Sequence, residues 1–210
     1  DTYPRPHIAA SVFLSVYTTK TGVYGLARAF PDGSLAVAYM GAAMALVGVV
    51  YALLQNDMRR LLSYHIQSQV GYMVAGVGVG TALATAGAFA HVFNHILYKA
   101  LLFMTAGVVI ARTDQGNLKY LGGLGRALPV TALAFTVAAL SISGFPGFNG
   151  FVSKGMITAA AHKEHLDGIF YILLAAGVGT FMSFIKFGYY AFLKDSSGTW
   201  TVRQSVAGQR

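Results

Sequence analysis

Six apolar stretches follow one another along this chain, at roughly 8–28, 35–54, 61–80, 84–110, 128–160 and 169–192. A helix needs about 20 apolar residues to cross a hydrocarbon core of about 30 Å, whereas a spanning β-strand needs only about ten. In lipid the protein itself must satisfy every backbone amide and carbonyl, so stretches of this length have to become helices. Charged residues make up only 10% of the 210 and hydrophobic ones 55%, where a soluble domain carries about a quarter charged. The expected fold is all-α: one polytopic transmembrane helix bundle of about six spans over 1–210, ending in a polar tail at 193–210. Too few residues remain for a soluble domain.

The chain has no cysteine, which removes disulfides, thiolate metal sites and cysteine nucleophiles. It shows no signal peptide. It starts at Asp1 rather than methionine, a few residues before a span, and reads as a piece of a longer protein. The net charge of +8 would suit nucleic acid, but its distribution argues otherwise. Counting spans puts Arg5, Arg59, Arg60, Arg112, Lys119, Arg126, Lys194, Arg203 and Arg210 on one side and only Arg28 and Lys163 on the other. Basic residues concentrate on the cytoplasmic side of membrane proteins, which places both termini there and locates the chain in the cell membrane. Anionic lipid, rather than nucleic acid, is the partner this balance suits.

Four basic residues remain, Lys20, Lys99, Lys154 and Lys186, and all fall inside the expected spans. The seven acids, Asp1, Asp32, Asp57, Asp114, Glu164, Asp167 and Asp195, all fall in loops or tails. A charge at the bilayer centre costs at least about 2.5–3.5 kcal/mol. Lysines without a carboxylate to pair with require either a water-filled interior or easy loss of the charge, since burial disfavours the charged form of an amine. A lysine of that kind loads and releases protons near neutral pH, as histidine does unaided.

The stretch "AFAHVFNHILYKALLF" gathers such groups. His91, His95 and Lys99 stand at i, i+4 and i+8, on one helix face over about 12 Å. Asn94 and Tyr98 lie close by. The alternative is three separate packing residues. The spacing of the histidines would also suit zinc, but no carboxylate or third histidine accompanies them, and Lys99 one turn on would repel the metal. Lys20, in "SVYTTKTGVYGLAR", is central in its span. Two further candidates have plainer readings beside them. Lys186 is near a span end, where its stem can snorkel to the interface, and His65, in "LLSYHIQSQVGYM", follows Arg59 and Arg60 closely and suits a hydrogen-bonded packing role.

The fifth stretch, too long for one plain span, contains "SISGFPGFNGFVSKG". Gly144, Pro146, Gly147 and Gly150 exclude a continuous helix there, because proline removes a donor and clashes with the preceding turn. Freed backbone at membrane depth is tolerated only inside protein or beside water. Transporters build ion sites at such breaks, and Lys154 follows this one directly. An ordinary kink or re-entrant loop with a chance lysine is the plainer alternative.

Three motifs in this order, "NDMRRLLSYHIQSQVGYM", "HVFNHILYKALLF" and "SGFPGFNGFVSKGMI", resemble the antiporter-like membrane subunits shared by Mrp-type Na+/H+ antiporters and respiratory complex I. The histidine of "SYHIQSQVGY" and the lysine of "YTTKTGVYGLAR" resemble the D-type subunit of Mrp antiporters more than a complex I subunit. The resemblance covers nearly all of the chain after about residue 8. It implies a linking helix followed by one five-helix repeat of an inverted-repeat fold, similar to the eighth to thirteenth helices of the family, with one discontinuous helix. It also implies roles. Lys20 would connect two half-channels, His91, His95 and Lys99 would form the polar axis of the second, and Lys154 would lie on the path to the far side. The family's Glu/Lys pair of the first repeat has no counterpart here. Gly155 stands where some relatives carry an acid.

The function these readings favour is proton translocation within a multisubunit cation/proton antiporter, with H+ and Na+ as its ions and other membrane subunits as partners. The alternative is a proton-pumping subunit of NADH:quinone oxidoreductase or a related membrane hydrogenase. No catalytic centre, metal site or cofactor of its own is expected: the chain has no Gly-rich phosphate loop after a strand and no cysteine for clusters. A retinal-type photoreceptor would need an intramembrane carboxylate, and a purely structural anchor would make the lysines dispensable.

Overall fold

The computed structural model describes residues 6–195, which fold as helices α1 (Ile8–Ala29), α2 (Leu35–Leu54), α3 (Met58–Val79), α4 (Ala82–Thr113), α5 (Leu124–Ala127), α6 (Pro129–Ser143), α7 (Asn149–Lys163) and α8 (Asp167–Gly188). A 3-10 turn at Leu118–Tyr120 precedes α5, and a π turn at Tyr189–Leu193 extends α8. The expected tail at 193–210 lies, from residue 196 on, outside the described residues, as do Arg5, Arg203 and Arg210. The helices match the six apolar stretches, with the fifth split into α6 and α7.

Local chemistry sets the ends. Asp57 caps α3 by accepting from Arg60 N at 2.8 Å, and Thr81 caps α4 by accepting from Ala84 N at 3.3 Å. Successive loops gather at two opposite ends. At one, Ser34 N donates to Gly78 O at 2.8 Å. At the other, Met58 N donates to Gly116 O at 3.0 Å, Leu118 N to Asn56 O at 2.8 Å and Gly123 N to Lys194 O at 2.6 Å. Three helical stretches, Leu35–Leu54, Ala82–Thr113 and Asp167–Leu193, are long and apolar enough to cross a membrane on those grounds alone. α1 and α3 have 22 residues each, enough for about 33 Å, but polar side chains dilute their hydropathy. α6 and α7, at 15 residues or about 22 Å each, span only together.

α2 and α3 pack backbone to backbone. A Cβ at Gly41 would lie 2.2 Å from Ala75 N, one at Gly71 2.4 Å from Ala45 N, and one at Gly78 2.2 Å from Ala38 N. Small residues drive helix association in lipid because they let backbones approach closely. This contact fixes α3, whose opposite face carries His65, Gln69 and Tyr72, all buried.

α6 ends on Gly144, at φ +75, with Gly144 N donating to Ser141 O at 3.2 Å and Phe145 N to Leu140 O at 3.1 Å. This paired closure is the Schellman arrangement, which glycine serves because it alone takes the left-handed backbone without a Cβ penalty. It leaves the Ile142 carbonyl without a backbone donor among the described residues. A Cβ at Gly150 would fall 1.8 Å from Ser141 O, so the first turn of α7 packs directly on the last turn of α6.

Candidate functional site: a buried lysine and histidine chain at the broken helix

His91, His95 and Lys99 are wholly buried on one face of the 32-residue α4. His91 is a junction. Its Nδ1 meets Ser153 Oγ of α7 at 2.9 Å, its Nε2 meets Gln69 Oε1 of α3 at 3.2 Å, and Tyr98 Oη lies 3.4 Å from that same nitrogen. The His91 and His95 rings are 6.4 Å apart. Neither ring nitrogen of His95 has a protein hydrogen-bond partner among the described residues, and neither does Lys99 Nζ. The Lys99 ammonium lies 5.6 Å from the Phe103 ring centroid, a contact worth about 0.5–2 kcal/mol, which falls short of the hydration it replaces.

Lys154, on the second turn of α7, donates to Ile142 O at 2.6 Å, taking up the carbonyl that the closure of α6 leaves free. Its ammonium stands 4.8 Å over the ring of Tyr72, whose hydroxyl donates to Leu173 O. A carbonyl at a helix C-terminus carries part of the negative end of the helix dipole, so the cation is favoured there. A cavity of about 520 Å³ opens beside the break, lined by Lys154, Tyr72, Ser143, Gly144 and Pro146 among others. Asn94 of α4 holds α7 in place: its Nδ2 donates to Asn149 O at 3.0 Å, and Asn149 Nδ2 returns to Asn94 Oδ1 at 3.3 Å.

Lys20, buried in α1, donates to the Ser15 carbonyl, and α1 packs against α4. The structure thus brings Lys20, His91, His95, Lys99 and Lys154 into one polar zone across α1, α4 and α7. Gly144, Pro146, Gly147 and Gly150 form or flank its broken helix, with Gly147 at φ +90. Lys186 stands apart. It donates to Leu53 O at 2.9 Å and Gln55 O at 2.8 Å, closing the C-terminus of α2. His65 is buried against Ser183, which its Nε2 meets, and against the Phe184 ring at 4.7 Å. Four residues of this zone, Gln69, Tyr72, Asn149 and Ser153, stand outside the expectations from sequence. The first two follow His65 by four and seven residues on the same helix face, and Asn149 and Ser153 lie one turn apart in the half-helix with Lys154. The helical spacing that singles out His91 and His95 is the signal that could have found them.

No Asp or Glu is buried among the described residues. His91, His95 and Lys99 are 0% exposed and Lys154 only 7%. Cationic and neutral-base groups therefore share one enclosed space with no carboxylate to fix their charge. Such a set suits transient loading by protons rather than a permanent ion pair.

Comparison with known proteins finds similarity to subunits of an antiporter and of a dehydrogenase. It is 37% identical to the D-type Na(+)/H(+) antiporter subunit of Alkalihalophilus pseudofirmus over 206 residues, 94% of this chain and 42% of that protein. It is 36% identical to an F(420)H(2) dehydrogenase subunit of Methanosarcina mazei over 177 residues, 77% of this chain and 26% of that one. It therefore spans less than half the length of these relatives. In the structure of the Mrp complex from Dietzia sp. DQ12-45-1b, one chain superposes with a TM-score of 0.89 at 27% identity, over 93% of this chain and 38% of that one. The model of the family described as "NADH:quinone oxidoreductase/Mrp antiporter, TM" matches residues 1–183, and the chain belongs to that family.

Proposed function

We propose that this chain translocates protons through a Lys/His-lined half-channel, as part of a subunit of a multisubunit, Mrp-like cation/proton antiporter. The observation that carries this reading is the set of wholly buried bases without protein partners among the described residues, both nitrogens of His95 and Lys99 Nζ, one and two turns from the fully bonded His91. Buried polar groups of this kind require water, and a water needs two to four polar partners. A proton arriving at Lys154 passes by way of water to the Ser153 hydroxyl and on to His91, then again by way of water to His95 and Lys99, and on to Lys20. Ser153 serves in both directions, because its hydroxyl either donates to His91 Nδ1 or accepts from it while turning to Asn149 O, 3.4 Å away.

The test is proton flux in vesicles carrying the intact parent complex, normalised to assembled protein. Lys99→Ala abolishes flux while assembly stays normal. Lys99→Arg also fails, because a guanidinium keeps its proton at any accessible pH. Wild-type flux in Lys99→Ala would reduce the chain of bases to packing.

The 36% identity to a dehydrogenase subunit favours a second reading, in which the same path serves a redox-driven complex. Purification with partners retained separates the two, since co-purified flavin and iron–sulfur subunits would mean a respiratory complex and a set of small hydrophobic subunits an antiporter. Under either reading the chain is one transmembrane unit of the cell membrane, with the loops around Asp57 and Asn117 in the cytoplasm together with both termini. Na+ is the coupled ion of the antiporter reading, and anionic lipid surrounds the basic end.

A further inference from the structure

The seam between α3 and α8 holds four wholly buried polar side chains that the path above does not use: His65 and Gln69 of α3, Thr180 and Ser183 of α8. Each pair is one helical turn apart. Ser183 Oγ donates to Thr180 O at 2.9 Å, so its lone pairs are left to accept from His65 Nε2–H. That leaves His65 Nδ1 as a bare acceptor, and it has no protein partner among the described residues. Gln69 Nε2 donates to Thr180 Oγ1 at 3.5 Å, which turns Gln69 Oε1 towards His91 Nε2, 3.2 Å away. His91 is thereby held with its Nε2 proton towards the seam and its accepting Nδ1 towards Ser153.

We propose that this seam is a second proton branch, joining the α4 chain at His91 and running along α3 towards the bundle end that carries Asp57 and Lys186. It rests on the transport reading above. His65 is the carrier: it takes a proton at Nδ1 and gives one up from Nε2 to the Ser183 oxygen, whose own hydroxyl proton turns away from Thr180 O and passes to a water, or the reverse, so each transfer leaves the ring and the hydroxyl neutral and nothing is oxidised. Gln69 is a positioning residue, since an amide orients His91 without carrying the proton itself. The hand-over between His65 and His91 requires a water, for which His65 Nδ1, bare and buried, is the polar partner the seam offers.

The experiment is proton flux by the intact parent complex in vesicles, normalised to assembled protein. His65→Gln keeps bulk and an amide for Ser183 but no proton-carrying ring. A packing role would be restored by it, whereas a carrier role is lost, and flux is expected to fall by up to about 10²-fold, the low end of what one positioned proton carrier contributes, the remainder passing through the α4 chain. Wild-type flux in His65→Gln, beside a dead Lys154→Ala, overturns the branch and leaves the transport reading intact. Undiminished flux in Lys154→Ala overturns the transport reading itself. Should His65→Gln fail to assemble, Ser183→Ala removes a single hydroxyl and is read by the same two outcomes.

Discussion

Replacing Gly150 by alanine tests whether the break in the fifth span must keep its present geometry. The added Cβ would sit 1.8 Å from the Ser141 carbonyl oxygen and 3.0 Å from its carbon, both backbone atoms that no rotamer change can move aside. Ordinary contact begins near 3.4 Å, so α7 has to withdraw from α6 by about 1.6 Å, the difference between 3.4 and 1.8. Overpacking of this kind costs about 1–3 kcal/mol, which assembled protein tolerates. The functional loss is larger. Lys154 rides on α7 and holds Ile142 O at 2.6 Å, and Ser153 rides beside it and holds His91 at 2.9 Å. A displacement near 1 Å in a site that works by position lowers rate on the order of 10²-fold. The control is Gly155→Ala in the same half-helix, where an added Cβ meets nothing within 4 Å and a helical alanine stabilises by about 0.5–1 kcal/mol over glycine. The assay is proton flux in vesicles, with thermal melting of the assembled complex alongside. Wild-type flux in Gly150→Ala would refute the reasoning, because the break would then be free to change shape without consequence.

Three further outcomes rest on the same contacts. Asn94→Ala removes the amide pair that ties α7 to α4 and leaves the Asn149 amide unsatisfied, which should lower the melting midpoint by the equivalent of about 1–3 kcal/mol and reduce flux with it. Lys186→Met strips a charged donor from two carbonyls at the end of α2 and should destabilise by about 1.5–3 kcal/mol, read by chemical or thermal unfolding in detergent. Cysteines introduced at Asn117 and Glu164 should label from opposite sides of the membrane, and labelling of Asn117 from outside the cell would overturn the topology.

Most of the span boundaries were legible because lipid imposes a length and a polarity that few other constraints can override. The break was legible for a related reason: Gly144, Pro146, Gly147 and Gly150 are a local statement about backbone, and the helices stop at Ser143 and resume at Asn149 as the residues require. The α4 face was legible from its period. Legibility ended where two helices meet. Nothing in "SYHIQSQVGY" says that Gln69 reaches His91, because the partner is 22 positions away and on another helix. The fate of Lys186 was open for the same reason. Its stem reaches Leu53 and Gln55, more than 130 positions earlier in the chain, and only packing decides that a span-end lysine caps a neighbour rather than turning to the interface. Along the sequence Lys154 is a neighbour of the break and no more. That it also supplies the missing donor for Ile142 O depends on how α6 closes, which is a matter of two hydrogen bonds and one left-handed glycine.

The bare contact between α2 and α3 also decides where this bundle can give. With Gly41, Gly71 and Gly78 seated on backbone atoms of the facing helix, no side chain lies between the two helices at these points to act as a cushion. Sliding or rocking one against the other would drive main chain into main chain within a few tenths of an ångström. The pair is in effect a keel. Across the bundle, the two short half-helices are joined by five residues and flanked by an open cavity of about 520 Å³. A change of charge in the buried bases therefore finds one wall seated along its length and one pinned where Gly150 meets Ser141 O, with room beside it. His91 hangs between them, bonded to Gln69 on the stiff side and Ser153 on the soft side. Movement of the broken helix would open or close the Ser153 contact while the Gln69 contact stays in register, which gives the histidine a fixed seat and a single movable neighbour.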